Sequence, residues 1–182
     1  LGDWEVYQAP YVGKSVFQIL DEEAAKVPAG SDGVVFLPYL VGERAPLYDP
    51  HAKGAFLGIT INHTKGHFAR AVMEGVAFSL KQVCELVLKM DPMSSPREIV
   101  LAGGGASSPI WRQIFADVFN LPVITVLGSA EGASFGAALL AGITSGMWEN
   151  LESTVDLIEV ESETFPIKEN VGICEQEYKK FV

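Results

Sequence analysis

The segment IVLAGGGASSPIWRQIFAD, residues 99–117, constrains this chain most. It joins an apolar run to an amphipathic one through three consecutive glycines and two serines. The pattern predicts a strand, a tight turn and a helix. Gly103, Gly104 and Gly105 remove every Cβ from that turn, so a flat ligand can lie directly against backbone. The helix start that follows offers unpaired N–H groups and the positive end of a dipole. These residues point to a nucleotide or anion site, with a turn needed only for close packing as the alternative.

Two familiar phosphate motifs fail here. The dinucleotide fingerprint G-x-G-x-x-G begun by Gly103 and Gly105 needs a third glycine where Ser108 stands, and no βαβ unit with a ribose-binding acid follows. Gly13-Lys14-Ser15 looks like the tail of a P-loop, but Gln8 occupies the position of its first glycine. Ser15 reads instead as the cap of an amphipathic helix with Val16, Ile19, Leu20 and Ala24 on one face.

At 182 residues the chain suits one domain with a proper core, and 48% hydrophobic content describes a globular protein. A net charge of −10 excludes non-specific nucleic-acid binding but leaves a nucleotide pocket open, because backbone N–H groups bind phosphate locally. Two cysteines far apart, Cys84 and Cys174, exclude a disulfide scaffold and point to a reducing, cytoplasmic setting. Residues 132–143 are too few to span a bilayer and no signal-peptide pattern is present, so no membrane partner is expected. Leu1 in place of methionine suggests a piece of a longer chain.

Along the chain, residues 28–33 read as a loop and 34–37 as a short buried strand stopped by Pro38. Residues 39–53 form an extended loop rich in proline, glycine and charge, and 55–59 a second strand. Apolar residues recur at 3.6-residue spacing from 64 to about 90, predicting a long helix with Thr64 as N-cap and Asp91-Pro92 as its stop. Gly75 in mid-helix costs about 1 kcal/mol relative to alanine, which close packing must offset. A strand at 98–102, a helix at 109–119, a strand at 123–126 and a small-residue helix at about 132–142 follow. The remainder reads as helical near 151–159 and again from about Asn170, with a break at Pro166. The class is α/β in mixed order.

Four blocks in this order resemble the FGGY family of carbohydrate kinases, specifically its C-terminal domain. They are FLPYLVGERAP at 36–46; GAFLGIT at 54–60 leading through His67-Phe68 to AVME at 71–74; GGGASSPIWRQIFAD at 103–117; and EGASFGAALLAG at 131–142. The match runs from about residue 28 onward. With Gly146-Met-Trp148, the last block most resembles the xylulokinases of that family, while gluconokinases share the first three.

The resemblance implies a ribonuclease H-like, actin-like ATPase fold: a mixed sheet flanked by helices. It implies that residues 1–182 are the nucleotide-binding C-terminal domain of a sugar kinase whose sugar-binding and catalytic N-terminal domain lies elsewhere. The activity implied is ATP-dependent phosphorylation of a sugar hydroxyl, D-xylulose to D-xylulose 5-phosphate first and gluconate as the alternative. Mg2+ would arrive with ATP. Carried over by position, Gly103, Gly104 and Gly105 would lie beside adenine and ribose, and Ala106 and Ser108 would continue that wall. Some relatives carry asparagine near Ser108-Pro109; this chain does not. No acidic residue matches the base that accepts the sugar proton, so the isolated chain is expected to be inactive. A non-catalytic binding module of the same fold is the competing class, and the oligomeric state stays open between monomer and homodimer.

Four further positions carry expectations. Glu43 and Arg44 are expected to hold their loop through ion pairs, with an anion contact at Arg44 as the alternative. His63 and His67, spaced i, i+4, read as capping or surface residues rather than zinc ligands. Trp111 reads as core, and Asp117 as solvent-facing or locally paired, without a chemical role.

Overall fold

A computed structural model describes residues 3–90 and 95–182. The element that organises it is the long helix α3, Lys65–Met90. It forms where the 3.6-residue pattern predicts it; the Asp91-Pro92 stop lies outside the described residues. Its start is capped from within: the Thr64 N–H donates to His67 Nδ1 at 3.0 Å. That bond assigns the ring proton to Nε2, which donates to Asp32 Oδ2 at 3.0 Å. Both ring nitrogens are thereby used, in agreement with a capping role. Among the described residues no cluster of His, Cys, Asp and Glu could hold a metal.

Two short helices precede α3. In α2, Val16–Ala25, Ser15 and Gln18 form a capping box: Ser15 Oγ accepts from the Gln18 N–H at 3.2 Å, and Gln18 Oε1 accepts from the Ser15 N–H at 2.8 Å. The helix α1, Asp3–Val12, has no counterpart in the sequence reading. Its aromatic residues Trp4, Tyr7 and Tyr11 are exposed and touch one another in sequence, so its spacing carries no buried apolar stripe to read.

Strand β1, Val35–Leu37, pairs antiparallel with β2, Ala55–Leu57, and places Phe36 opposite Phe56. This ribbon packs on α3. The mid-helix glycine is explained there, because a Cβ at Gly75 would overlap the Phe36 carbonyl oxygen. Gly75→Ala is expected to lower stability by about 1–3 kcal/mol, read from urea unfolding, since backbone must shift to admit one methyl group. An unchanged midpoint would mean that the ribbon slides freely on the helix.

The second sheet is mixed. Strand β3, Ile99–Val100, lies parallel to β4, Val123–Val126, which pairs antiparallel with β5, Val160–Thr164. Between β3 and β4 runs α4, Pro109–Phe119, with proline in its first turn as the sequence predicts. After β4 come α5, Ala133–Thr144, and finally α6, Lys168–Phe181. The tail departs from expectation. Residues 152–157, inside the stretch read as helical, form a 3-10 helix, and β5 follows it where the sequence predicts no strand. Its VESET sequence lacks apolar alternation; the ladder to β4 and a 2.7 Å bond between Thr125 Oγ1 and Ser162 Oγ hold it instead.

The main core lies where α3, α4 and α6 meet, around Phe78, Ile114, Phe115, Val118, Cys174 and Phe181. Burial, with Glu74 and Asp117 nearby, pushes the Cys174 thiol up to about 12, so it stays protonated and inert near neutral pH. Cys174 is therefore expected to resist iodoacetamide in the native protein and to react once urea unfolds it. Equal labelling rates in both states would contradict the packing of α6.

Candidate functional site

The glycine turn is built as the sequence predicts, with one addition: residues 104–107 form a 3-10 turn between β3 and α4. Gly103 sits at φ +83°, ψ −172°, a conformation that only glycine adopts readily. Its N–H donates to the Ser129 carbonyl at 2.7 Å, which ties the turn to the segment after β4. There Gly132 comes so close that an added Cβ would lie 3.5 Å from Gly103 Cα. Ser108 caps α4, its Oγ accepting from the Trp111 N–H at 3.3 Å. Ala106 is buried, and its carbonyl accepts from Arg112 Nη1 at 2.7 Å.

Gly104 is different. Its φ is negative, and a Cβ built there meets nothing within 4 Å. Neither the backbone nor packing inside the chain requires glycine at this position. The missing side chain instead keeps a wall open toward a cavity of about 1000 Å³. Gly104, Gly105, Ser107 and Ser108 line that cavity together with Trp111. Gly103 lies at the base of the turn and Ala106 behind it; neither is on the lining. Trp111 thus has two faces, one packed against the core cluster and one toward the cavity.

Polar groups reach the same cavity from distant parts of the sequence. Ser15, Gln18 and Asp21 come from α2 and its N-cap, and Lys65 from the start of α3. No motif joins them, and only folding brings them opposite the glycine turn. Lys65 also pairs with the buried Glu5 carboxylate.

Three other groups clarify what holds the site. Asp117 is 1% exposed rather than solvent-facing. Its carboxylate accepts from Gln113 Nε2, from the Ile167 N–H and from Asn170 Nδ2, each at 2.8 Å, so it ties α4 to the start of α6. One of the three bonds is local, at i−4; the other two span the chain, which sequence spacing does not reveal. Glu43 is buried and accepts from the Leu47 and Tyr48 N–H groups at 2.8 and 2.9 Å. It pins its loop through backbone bonds, not through the ion pair expected from the sequence. Arg44 beside it is exposed and has no hydrogen-bond or ion-pair partner among the described residues.

Glu74 anchors the opposite side of α3. It accepts from Arg70 Nε at 2.7 Å, from the Gly30 N–H at 2.9 Å and from Ser31 Oγ at 2.8 Å. Burial raises its carboxyl above the usual carboxylate range, while Arg70 and the two other donors pull it back.

Comparison with known proteins adds to this geometry. The model of the "FGGY family of carbohydrate kinases, C-terminal domain" matches residues 9–145. The xylulose kinase of Bacillus subtilis is 36% identical over 97% of this chain and 34% of its own length. The gluconokinase of the same organism is 35% identical over 91% of this chain and 32% of its own length. A ligand-bound xylulose kinase from Lactobacillus acidophilus superposes with a TM-score of 0.78 at 29% identity, covering 97% of this chain and 36% of that one. The chain thus spans about a third of the length of the relatives it matches.

Proposed function

The chain belongs to the FGGY family of carbohydrate kinases, and from that membership we propose that it is the nucleotide-binding part of an ATP-dependent sugar kinase. It has the mixed sheet and flanking helices of that family's ribonuclease H-like, actin-like fold. The observation that carries the reading is Gly104, a glycine kept where the fold itself would accept a side chain. In this reading adenosine lies along Gly104 and Gly105, with Gly103 shaping the base of the turn, Ala106 buried behind the wall and Ser108 fixing its junction with α4. The phosphates extend from there toward the rest of the polypeptide.

The residues present do not make a magnesium cage, since no metal-binding cluster occurs among the described residues. Mg2+ would be held by the ATP phosphates, neutralising charge as the phosphoryl group moves. This chain contributes position: a fixed wall for the base, and water excluded from it by Trp111 and the apolar cavity. The carboxylate that accepts the sugar proton belongs to the remainder of the kinase. Two free cysteines and the ATP requirement suit a cytoplasmic enzyme.

D-xylulose is the first candidate substrate, on the similarity to xylulose kinases. Gluconate is the second, because identity to the gluconokinase is nearly as high. The test is phosphoryl transfer from Mg-ATP to D-xylulose, gluconate and glycerol by the full-length polypeptide, with the 182-residue chain assayed beside it. Transfer to D-xylulose by the full-length protein alone is expected. Failure with every sugar would overturn the kinase reading, and transfer by the short chain would overturn the division of labour.

A further inference from the structure

The cavity beside the glycine turn holds a carboxylate that nothing around it uses. Asp21 lines it, half-buried, and has no hydrogen-bond or ion-pair partner among the described residues. It is also the only acidic residue on that lining among the described residues. The other charged group there, Lys65, is neutralised by the Glu5 carboxylate. Most of the remaining polar atoms are committed. Ser108 Oγ accepts from the Trp111 N–H at 3.3 Å, Ser15 Oγ from the Gln18 N–H at 3.2 Å, and Gln18 Oε1 from the Ser15 N–H at 2.8 Å. The other end of the Gln18 amide, Nε2, donates to no group among the described residues. Gln18 and Asp21 stand one helical turn apart on α2, so their side chains are neighbours on one face. The wall facing the glycine turn thus presents a free donor beside a free acceptor. Shielding a carboxylate from water without a partner costs stability, and chains keep such a group where function uses it.

We propose that Asp21 and Gln18 read the edge of the nucleobase and make this pocket select an aminopurine, adenine, over an oxopurine. The proposal rests on adenosine occupying the cavity and adds which of its atoms are recognised. An ionised carboxylate repels phosphate, which places Asp21 at the base end of the nucleotide. Gly104 and Gly105 offer the ring a flat face without side chains, and a face does not tell one purine from another. The edge does. Adenine carries an acceptor, N1, directly beside a donor, its exocyclic amino group; hypoxanthine carries N1–H and a carbonyl oxygen in the same two places. Gln18 Nε2 donating to N1, with Asp21 accepting from the amino group, satisfies adenine at both. Hypoxanthine sets its carbonyl oxygen against the carboxylate and its N1–H against the amide N–H, so both contacts become repulsive.

Calorimetric titration of the full-length polypeptide with Mg-ADP, Mg-IDP (the hypoxanthine nucleotide) and Mg-deoxy-ADP tests the proposal. The natural protein is expected to bind ADP at least about 30-fold more tightly than IDP, because IDP leaves the polar groups of the site unpaired. In Asp21→Asn, whose amide donates as readily as it accepts, the ratio should fall below about threefold. The unfolding midpoint without nucleotide should stay within about 2 °C, since Asp21 has no partner among the described residues. A natural protein that binds ADP and IDP alike, or a variant that keeps the natural ratio, would overturn the proposal. Equal losses for ADP and IDP, together with a vanished preference for ADP over deoxy-ADP, would overturn it in favour of a contact to ribose. A midpoint lower by several degrees with the ratio unchanged would assign Asp21 to packing instead. Gly104→Val is titrated alongside. Weaker ADP binding there, beside an unchanged ratio in Asp21→Asn, removes this proposal alone. No nucleotide bound by the natural protein removes the adenosine reading itself.

Discussion

Replacing Glu74 by alanine is expected to lower the unfolding free energy by about 3–5 kcal/mol, the largest loss from any single substitution considered for this chain. The reason is what stays behind. Arg70 is 5% exposed, with Glu74 as its ion-pair partner and, among the described residues, only the Val27 carbonyl, 2.8 Å from Nη1, as a further acceptor. Without the carboxylate a guanidinium is buried beside two more donors, the Gly30 N–H and Ser31 Oγ, that have lost their acceptor. Proteins are stable by only about 5–15 kcal/mol, so the variant should unfold in far less urea. The double variant Arg70→Met/Glu74→Met should recover much of the loss, because the charge is then removed with its partner. A single-variant cost below about 1 kcal/mol would show that water reaches the pair.

The same carboxylate predicts a pH effect. Its pKa in the folded state lies above the ordinary value of 4.5, chiefly through burial. A raised folded value means that its contribution is complete below the unfolded pKa and is lost as pH rises through the folded one. Glu74→Gln should therefore flatten the stability profile on the alkaline side of 4.5. A profile parallel to that of the natural protein across that window would argue against the shift.

Gly104→Val is expected to weaken Mg-ADP binding to the full-length polypeptide at least about tenfold, equivalent to about 1.4 kcal/mol. The unfolding midpoint should move by no more than about 2 °C. The contrast with Gly75 makes the test specific. At Gly75 an added carbon strikes the Phe36 backbone, whereas at Gly104 it enters open space. Loss of affinity without loss of stability is the signature of a carbon placed where the ligand must lie. Calorimetric titration measures the first and thermal unfolding the second. Unchanged affinity would move adenosine off this turn, and a collapsed midpoint would reassign Gly104 to packing.

The elements read most accurately from sequence are those whose pattern is local. The spacing of α3, the proline opening α4, the β-branched run of β4 and the Ser15 cap all announce themselves within a few residues. The glycine turn was legible for the same reason. What was not legible is held by distant partners. Strand β5 exists because β4 offers an edge, and Asp117 is a buried clamp because Ile167 and Asn170 arrive from fifty residues away. Ser15, Asp21 and Lys65 reach the cavity only once α2 has packed on α3. The role of Gly104 required coordinates too, since a sequence does not say whether a glycine is demanded by its backbone or by its surroundings.

The position of α3 has a consequence for how the chain is made. Elements from both ends meet on that one helix: α2 and β1 before it, α4 and α6 after it. During synthesis, α2 therefore has only α1 to pack against until the first turns of α3 leave the ribosome. Phe78 gains its aromatic neighbours only when α6 brings Tyr178 and Phe181 to it. That part of the core thus closes only once α6 has been made, so a nascent chain that has reached α3 carries exposed apolar surface until then. A chaperone bound until α6 emerges is the handling that such an order of assembly favours.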